Sequence, residues 1–196
     1  MPRERAPRDP AATRDRLVDA FAAIVVTSGA RSATLEAVAA RAGVSKGGLL
    51  YHFASKSALV DGLLARLRQL TEADLERMRT APEGPAEYYV RTSALEAVSL
   101  FADEPDPLST ALVATLRLAQ EGESRATAAF AAVNADWRAL IETEVGGDRS
   151  LARMVQLVGD GLWGSASMGI PVDDLDVVLD QVRRLVRSSR HAATTG

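Results

Sequence analysis

Between Thr34 and His52 the sequence starts one short helix, stops it and starts another within two residues, which leaves the backbone little freedom there. Leu35, Val38, Ala39 and Ala42 fall on one helical face, and Thr34 ahead of them offers a side-chain oxygen to the first free amides. Gly43 ends that helix, because glycine enters the left-handed conformation without a Cβ penalty. Val44 plugs the angle, and Ser45 caps a second helix that runs to about His52. Two short helices joined by so tight a turn form a helix-turn-helix.

The rest of the chain carries the same helical period. Its residues are 47% hydrophobic and only 5% aromatic, so the core is built from Ala, Leu and Val, a composition suited to close helix packing. Leu17, Phe21 and Ile24 predict a helix over 11–28 that Gly29 ends. Ser55 caps a fourth helix carrying Leu59, Leu63, Leu67 and Leu70 to about Thr80, and the run Ala81-Pro82-Glu83-Gly84-Pro85 breaks it. Further helices are expected near 86–102, 107–121, 123–145, 149–169 and 173–190, the last capped by Asp173 with Asp176. The expected fold is all-α with about nine helices: a three-helix helix-turn-helix module over 11–56 and a helical bundle over 57–190. The first ten residues and the stretch after Arg190 read as tails.

Several function classes have no material here. There is no cysteine, which removes disulfide frameworks, thiolate metal sites and thiol nucleophiles. His52 and His191 are the only histidines, no Glu-x-x-His pair exists, and the acidic run Asp103, Glu104 and Asp106 is interrupted by proline. No catalytic constellation, metal site or cofactor is expected. The N-terminal stretch has charges and prolines where a signal peptide has an apolar core, and no apolar run is long enough for a membrane span. A cytoplasmic protein without a membrane partner is the expectation. Residues 1–60 hold nine basic and five acidic side chains, whereas the remainder holds 14 and 21. A basic head on an acidic body suits one end for a polyanion, with chance clustering as the alternative.

The functional reading follows from the turn. The second helix of a helix-turn-helix enters the DNA major groove. The run TLEAVAARAGVSKGGLLYHFASKSALV, Thr34 to Val60, resembles the DNA-binding segment of TetR-family regulators, and Phe21 and Gly29 extend the likeness back to about residue 12. That resemblance implies a homodimer on double-stranded operator DNA that lets go when a small-molecule effector binds. It puts Thr34 and Ser45 on phosphate, Lys46 on phosphate or a base edge, Gly47 where the backbone comes close, Tyr51 and His52 on phosphates, and Lys56 as a phosphate clamp. Gly48 and Leu50 stand where the family is often polar, so base reading rests on Leu50 against a thymine methyl or on DNA shape. Phe53 reads as core. Arg3, Arg5, Arg8, Arg14 and Arg16 carry two readings, DNA contacts or a solvated arm.

The second half is read more coarsely. The resemblance places the dimer contact on the last two helices, with Leu162, Ser165, Leu175, Val178, Val182 and Leu185 as its candidates. Leu175, Val178, Val182 and Leu185 recur with 3-4-3 spacing. Gly159, Gly161 and Gly164 let another backbone approach from a second subunit, or else pack inside one subunit or line a cavity. Effector candidates are Tyr88, Thr92, Phe101, Gln120, Phe130, Asn134, Trp137 and Trp163: large side chains that line a pocket or simply fill the core, and polar ones that need a partner on apolar helices. Few charges interrupt these faces, so the expected ligand is mainly apolar. Activation, or control by a protein partner, is the alternative to a repressor released by a small molecule.

Overall fold

The computed structural model describes residues 9–96 and 105–195. Among them are nine α-helices and no strand: α1 (Pro10–Ser28), α2 (Leu35–Ala42), α3 (Lys46–His52), α4 (Lys56–Thr80), α5 (Pro85–Glu96), α6 (Pro107–Gln120), α7 (Ser124–Glu144), α8 (Arg149–Ser167) and α9 (Leu175–Thr195). A short 3₁₀ turn, Ala30–Ser32, follows α1. Phe101 and the arm residues Arg3, Arg5 and Arg8 lie outside the described residues. The chain divides into two compact units, one from Met1–Gln69 with Thr110–Phe130, the other from Leu70–Ser109 with Ala131–Gly196.

In the first unit the helix ends are set by local chemistry. Asp9 accepts a hydrogen bond from the Ala11 amide at 3.0 Å, with Pro10 in the first turn of α1 where its missing N–H costs nothing. Gly29 closes α1 at φ 80°, and Gly43 closes α2 at φ 66°, the left-handed value expected of it. Leu17, Phe21 and Val25 are wholly buried along α1, as are Val38, Leu49, Leu59 and Leu63 from the following helices. The Phe53 ring lies over Gly62, where an added Cβ would come within 2.8 Å of the ring and 3.1 Å of Val18. Glycine there lets the end of α3 settle onto α1 and α4.

Along α4 the sequence reading needs one adjustment. Leu59, Leu63 and Leu67 are buried as expected, but the stripe continues through Thr71, Asp74 and Met78, while Leu70 is only half-buried. The 4-3-4 spacing of Leu67, Thr71, Asp74 and Met78 keeps one face inward where polar residue types suggested solvent.

The second unit is centred on α5, which packs on α8 and α9. Gly159 of α8 sits under Tyr89, and a Cβ there would lie 2.4 Å from the ring's Cε1. Helix α9 departs from expectation at both ends. It starts at Leu175, and its first intrahelical bond is accepted by the Asp174 carbonyl, so Asp174 and not Asp173 stands at the cap position. It also runs through to Thr195, beyond the expected end near Arg190. Just ahead of this extension two bonds tie α9 to the close of α7: Ser189 Oγ donates to the Val145 carbonyl at 2.8 Å and Arg190 Nε to the Glu144 carbonyl at 3.2 Å. Inward positions of α9 are Leu179, Val182 and Val186, all below 9% exposure. Val182, read from the sequence as a dimer contact, is therefore spent inside the chain, because a 3-4 spacing does not say which partner its stripe faces.

Replacing Gly159 by valine drives a branched side chain into the Tyr89 ring. Gly159→Val is expected to lower stability by about 2 kcal/mol or more, read from the midpoint of urea unfolding.

Candidate nucleic-acid interface

Of the seven residues of α3 one is buried, four are exposed, and Gly48 and His52 are half-buried. Leu49 is fully buried and anchors the helix, and Ser45 caps it by accepting the Gly48 amide at 3.0 Å. Lys46, Gly47, Leu50 and Tyr51 face outward, Leu50 at 41% and Tyr51 at 83% exposure. An aromatic ring left so open costs apolar hydration, and its edge-on contact with His52, centroids 5.1 Å apart at 86°, covers little of it. Thr34 is exposed at the start of α2, where its Oγ1 accepts the Ala37 amide at 3.2 Å.

Between α3 and the start of α1 lies a cleft of 330 Å³ lined by Pro10, Thr13, Val44, Ser45, Gly48, Tyr51 and His52. Pro10 and Thr13 were not singled out from the sequence. Thr13 sits one turn before Leu17 on the buried face of α1, and Arg16 Nη2 donates to its Oγ1 at 3.1 Å. Arg14 holds its guanidinium 4.6 Å above the Phe53 ring, at the end of the recognition helix.

Two lysines expected at DNA have partners in the free chain. Lys46 forms an ion pair with Glu36 of α2 at 2.6 Å, with both side chains more than half exposed. The hydrogen bond from Lys46 holds the Glu36 carboxyl below the usual range. Water screens such a pair, so a phosphate can replace it at little cost. Lys56 instead donates its Nζ to the Ala30 carbonyl, while the Ala30 amide donates to Glu121 Oε1 at 3.2 Å. The turn ahead of α2 is thus gripped on both sides, and Lys56 reaches DNA only by sharing or leaving that carbonyl.

The second unit holds a polar interior of a different kind. Asp74, 5% exposed, accepts hydrogen bonds from the Tyr88 hydroxyl at 2.7 Å, the Trp137 indole at 2.9 Å and Arg77 at 3.0 Å. Burial pushes the Tyr88 phenol up to about 12. The Tyr89 hydroxyl donates to Asp160 at 2.6 Å, its ring lies 5.7 Å from that of Trp137, and burial raises its phenol as well. Of the effector candidates, Tyr88, Thr92, Asn134, Trp137 and Trp163 belong to this unit, whereas Gln120, exposed, and Phe130, half-buried, belong to the first. The Thr92 hydroxyl is turned back onto the Tyr88 carbonyl at 2.8 Å. Asp74 was missed from the sequence, although its place in the stripe of α4 was the available signal.

Residues 17–63 match the family described as bacterial regulatory proteins, tetR family. Residues 83–188, more than half of the chain, match the tetracyclin repressor-like C-terminal domain. The chain belongs to the TetR family. This TetR-family chain is 36% identical over 62 residues to the HTH-type transcriptional regulator SrpR of Pseudomonas putida, a match spanning 32% of this chain and only 29% of that protein. Its fold is shared with Salmonella enterica GusR, at TM-score 0.65 and 18% identity over 91% of this chain and 97% of that one. It is shared too with the multidrug binding protein EbrR, solved with malachite green, at TM-score 0.61 and 24% identity over 88% and 96% of the two chains. The TetR family consists of DNA-binding transcriptional regulators and not enzymes, and this chain is one of those regulators. Regulators of the family bind operator DNA as dimers and bind small-molecule effectors. Among the described residues of this TetR-family regulator, no helix is long and apolar enough to cross a membrane.

The buried carboxylate gives a direct test of the second unit's interior. Asp74→Ala leaves the Trp137 indole and the Tyr88 hydroxyl without their acceptor and is expected to cost about 3 kcal/mol in urea unfolding.

Proposed function

We propose that this regulator is a cytoplasmic repressor that holds double-stranded operator DNA as a homodimer and is released by a small, mainly apolar effector. The observation that carries the DNA contact is the outward face of α3, where Lys46, Gly47, Leu50 and Tyr51 stand exposed on a helix anchored by one buried leucine. In this reading Tyr51, His52 and Ser45 meet phosphates along the cleft beside α1, and Thr34 meets one from the start of α2. Lys46 exchanges Glu36 for phosphate or a base edge. Gly47 and Gly48 let the backbone approach, Leu50 meets a thymine methyl, and Lys56 adds a weaker phosphate contact. The DNA-binding segment lies within 11–56, and the effector and dimer segment within 57–190.

Dimerisation draws support from an exposed stripe along α8 and its C-cap residue Met168. Met154, Leu157 and Met168 are each close to half exposed or more, and between them Gly161 and Gly164 have open space where a Cβ would stand. The 3-4-3-4 spacing suits a helix from a second subunit, with Leu162 and Ser165 beside the stripe and Leu175, Val178 and Leu185 half-buried on α9. For the effector, two buried polar atoms of the second unit support the reading: among the described residues, Thr71 Oγ1 and the Trp163 indole nitrogen have no hydrogen-bond partner. A ligand placed among Tyr88, Trp137 and Trp163 would give such groups what the fold does not. Its binding shifts the dimer toward a form whose recognition helices no longer fit two successive major grooves, with α4, common to both units, as the connecting lever.

Binding to an operator selected from random duplex DNA, followed by fluorescence anisotropy over a range of salt, tests the interface. Lys46→Ala and Tyr51→Ala are each expected to weaken binding about tenfold, and Lys46→Ala to flatten the log–log salt slope by about one. Unchanged affinity in both variants overturns the assignment.

A further inference from the structure

Arg138 of α7 and Arg153 of α8 aim at the same atom. Arg138 Nη1 donates to Gln156 Oε1 at 3.0 Å, and Arg153 Nη1 donates to it at 2.9 Å. Gln156 is fully buried. Its amide nitrogen donates to the Asn134 carbonyl at 2.9 Å and to Asn134 Oδ1 at 3.2 Å, which fixes its oxygen toward the two arginines. Two guanidinium groups therefore meet over one neutral oxygen.

Among the described residues no carboxylate of α7 or α8 pairs with either head. Glu142, one turn beyond Arg138 on α7, lies 3.9 Å from Arg149, and Asp160 of α8 accepts the Tyr89 hydroxyl. Neither Arg138 nor Arg153 forms an ion pair among the described residues, whereas Arg77, Arg79, Arg91, Arg125, Arg183 and Arg190 each do. Among the described residues each guanidinium uses one N–H, of the five it carries. Like charges brought together repel, and the dipole of one amide oxygen offsets that only in part. The planar forks match the oxygens of a carboxylate or phosphate, which takes paired N–H bonds and relieves the repulsion between the heads, a carboxylate by one charge and a phosphate dianion by two. Arg153 is exposed and Arg138 half-buried, so the pair is open to a solute while the residue that orients it is not.

We propose that Arg138 and Arg153, held in register by Gln156, form a binding site for a small oxyanion, a carboxylate or a phosphate. The site shares no residue with the DNA-binding surface, so its failure would leave that reading untouched.

Thermal unfolding of the full chain at matched ionic strength tests it, with inorganic phosphate and acetate as separate probes against chloride. Either probe, at about ten times its dissociation constant, is expected to raise the midpoint by about 3–6 °C over chloride. Whichever probe acts identifies the source chemistry. Arg138→Gln and Arg153→Gln lose the shift, while Arg184→Gln, on the exposed side of α9, keeps it. In chloride alone, Arg153→Gln unfolds no lower than the parent chain because a repulsion has been removed; an arginine with a purely structural role would lower the midpoint. A shift that survives both substitutions is the general salting effect of the anion and overturns the proposal. So does a weakened dimer in sedimentation of Arg153→Gln with no response to either probe, which would assign the arginines to a carboxylate of a second copy.

Discussion

A helix of seven residues does not hold itself together in water, because closing its first turn costs more than so few hydrogen bonds return. Helix α3 exists because Leu49 and Phe53 are taken wholly out of solvent. Burying each stabilises the assembly by about 1.5–3 kcal/mol, with about 1 kcal/mol more from the Ser45 cap. Those two anchors also fix the rotation of the helix. With Leu49 inward, Lys46, Gly47, Leu50 and Tyr51 must face out, and the orientation of any DNA contact follows from that burial. Gly62 serves the same end, since a side chain there would displace the Phe53 ring.

The electrostatics of the first unit are less open than its surplus of basic residues suggests. Lys46 is paired with Glu36, and Lys56 donates to the Ala30 carbonyl. Arg14 and Arg16 are oriented by Phe53 and Thr13. Cations with weak protein partners keep their long side chains ordered at little cost when a phosphate arrives, so the arrangement favours pre-organisation over raw field strength. The grip of Glu121 and Lys56 on Ala30 adds rigidity just ahead of α2.

In the second unit the decisive contacts are polar and buried. Asp74 collects donors from α4, α5 and α7, and Gln156 links α7 to α8. Such networks specify one arrangement of helices because a shifted helix would strand a buried charge or amide. Sequence reading found Tyr88, Asn134 and Trp137 through size and polarity, yet missed Asp74 and Gln156. An acid or an amide in an amphipathic helix ordinarily marks the wet face, and only the continuous 4-3-4 spacing through Thr71, Asp74 and Met78 said otherwise.

What the sequence determined by itself is the part governed by neighbours in the chain. Helix starts at Thr34, Ser45 and Ser55, stops at Gly29 and Gly43, and the break before Pro85 all follow from bonds reaching two to four residues, and so they were legible. Tertiary structure decided which face of each helix was used. Leu175, Val178, Val182 and Leu185 read as one seam, but Val182 turned inward with Leu179 and Val186. Lys56 and Lys46 took partners 26 and 10 positions away, as their residue numbers show. Helical period reports that an apolar stripe exists; the surface that covers it lies on another element, and its distance along the chain leaves no local trace.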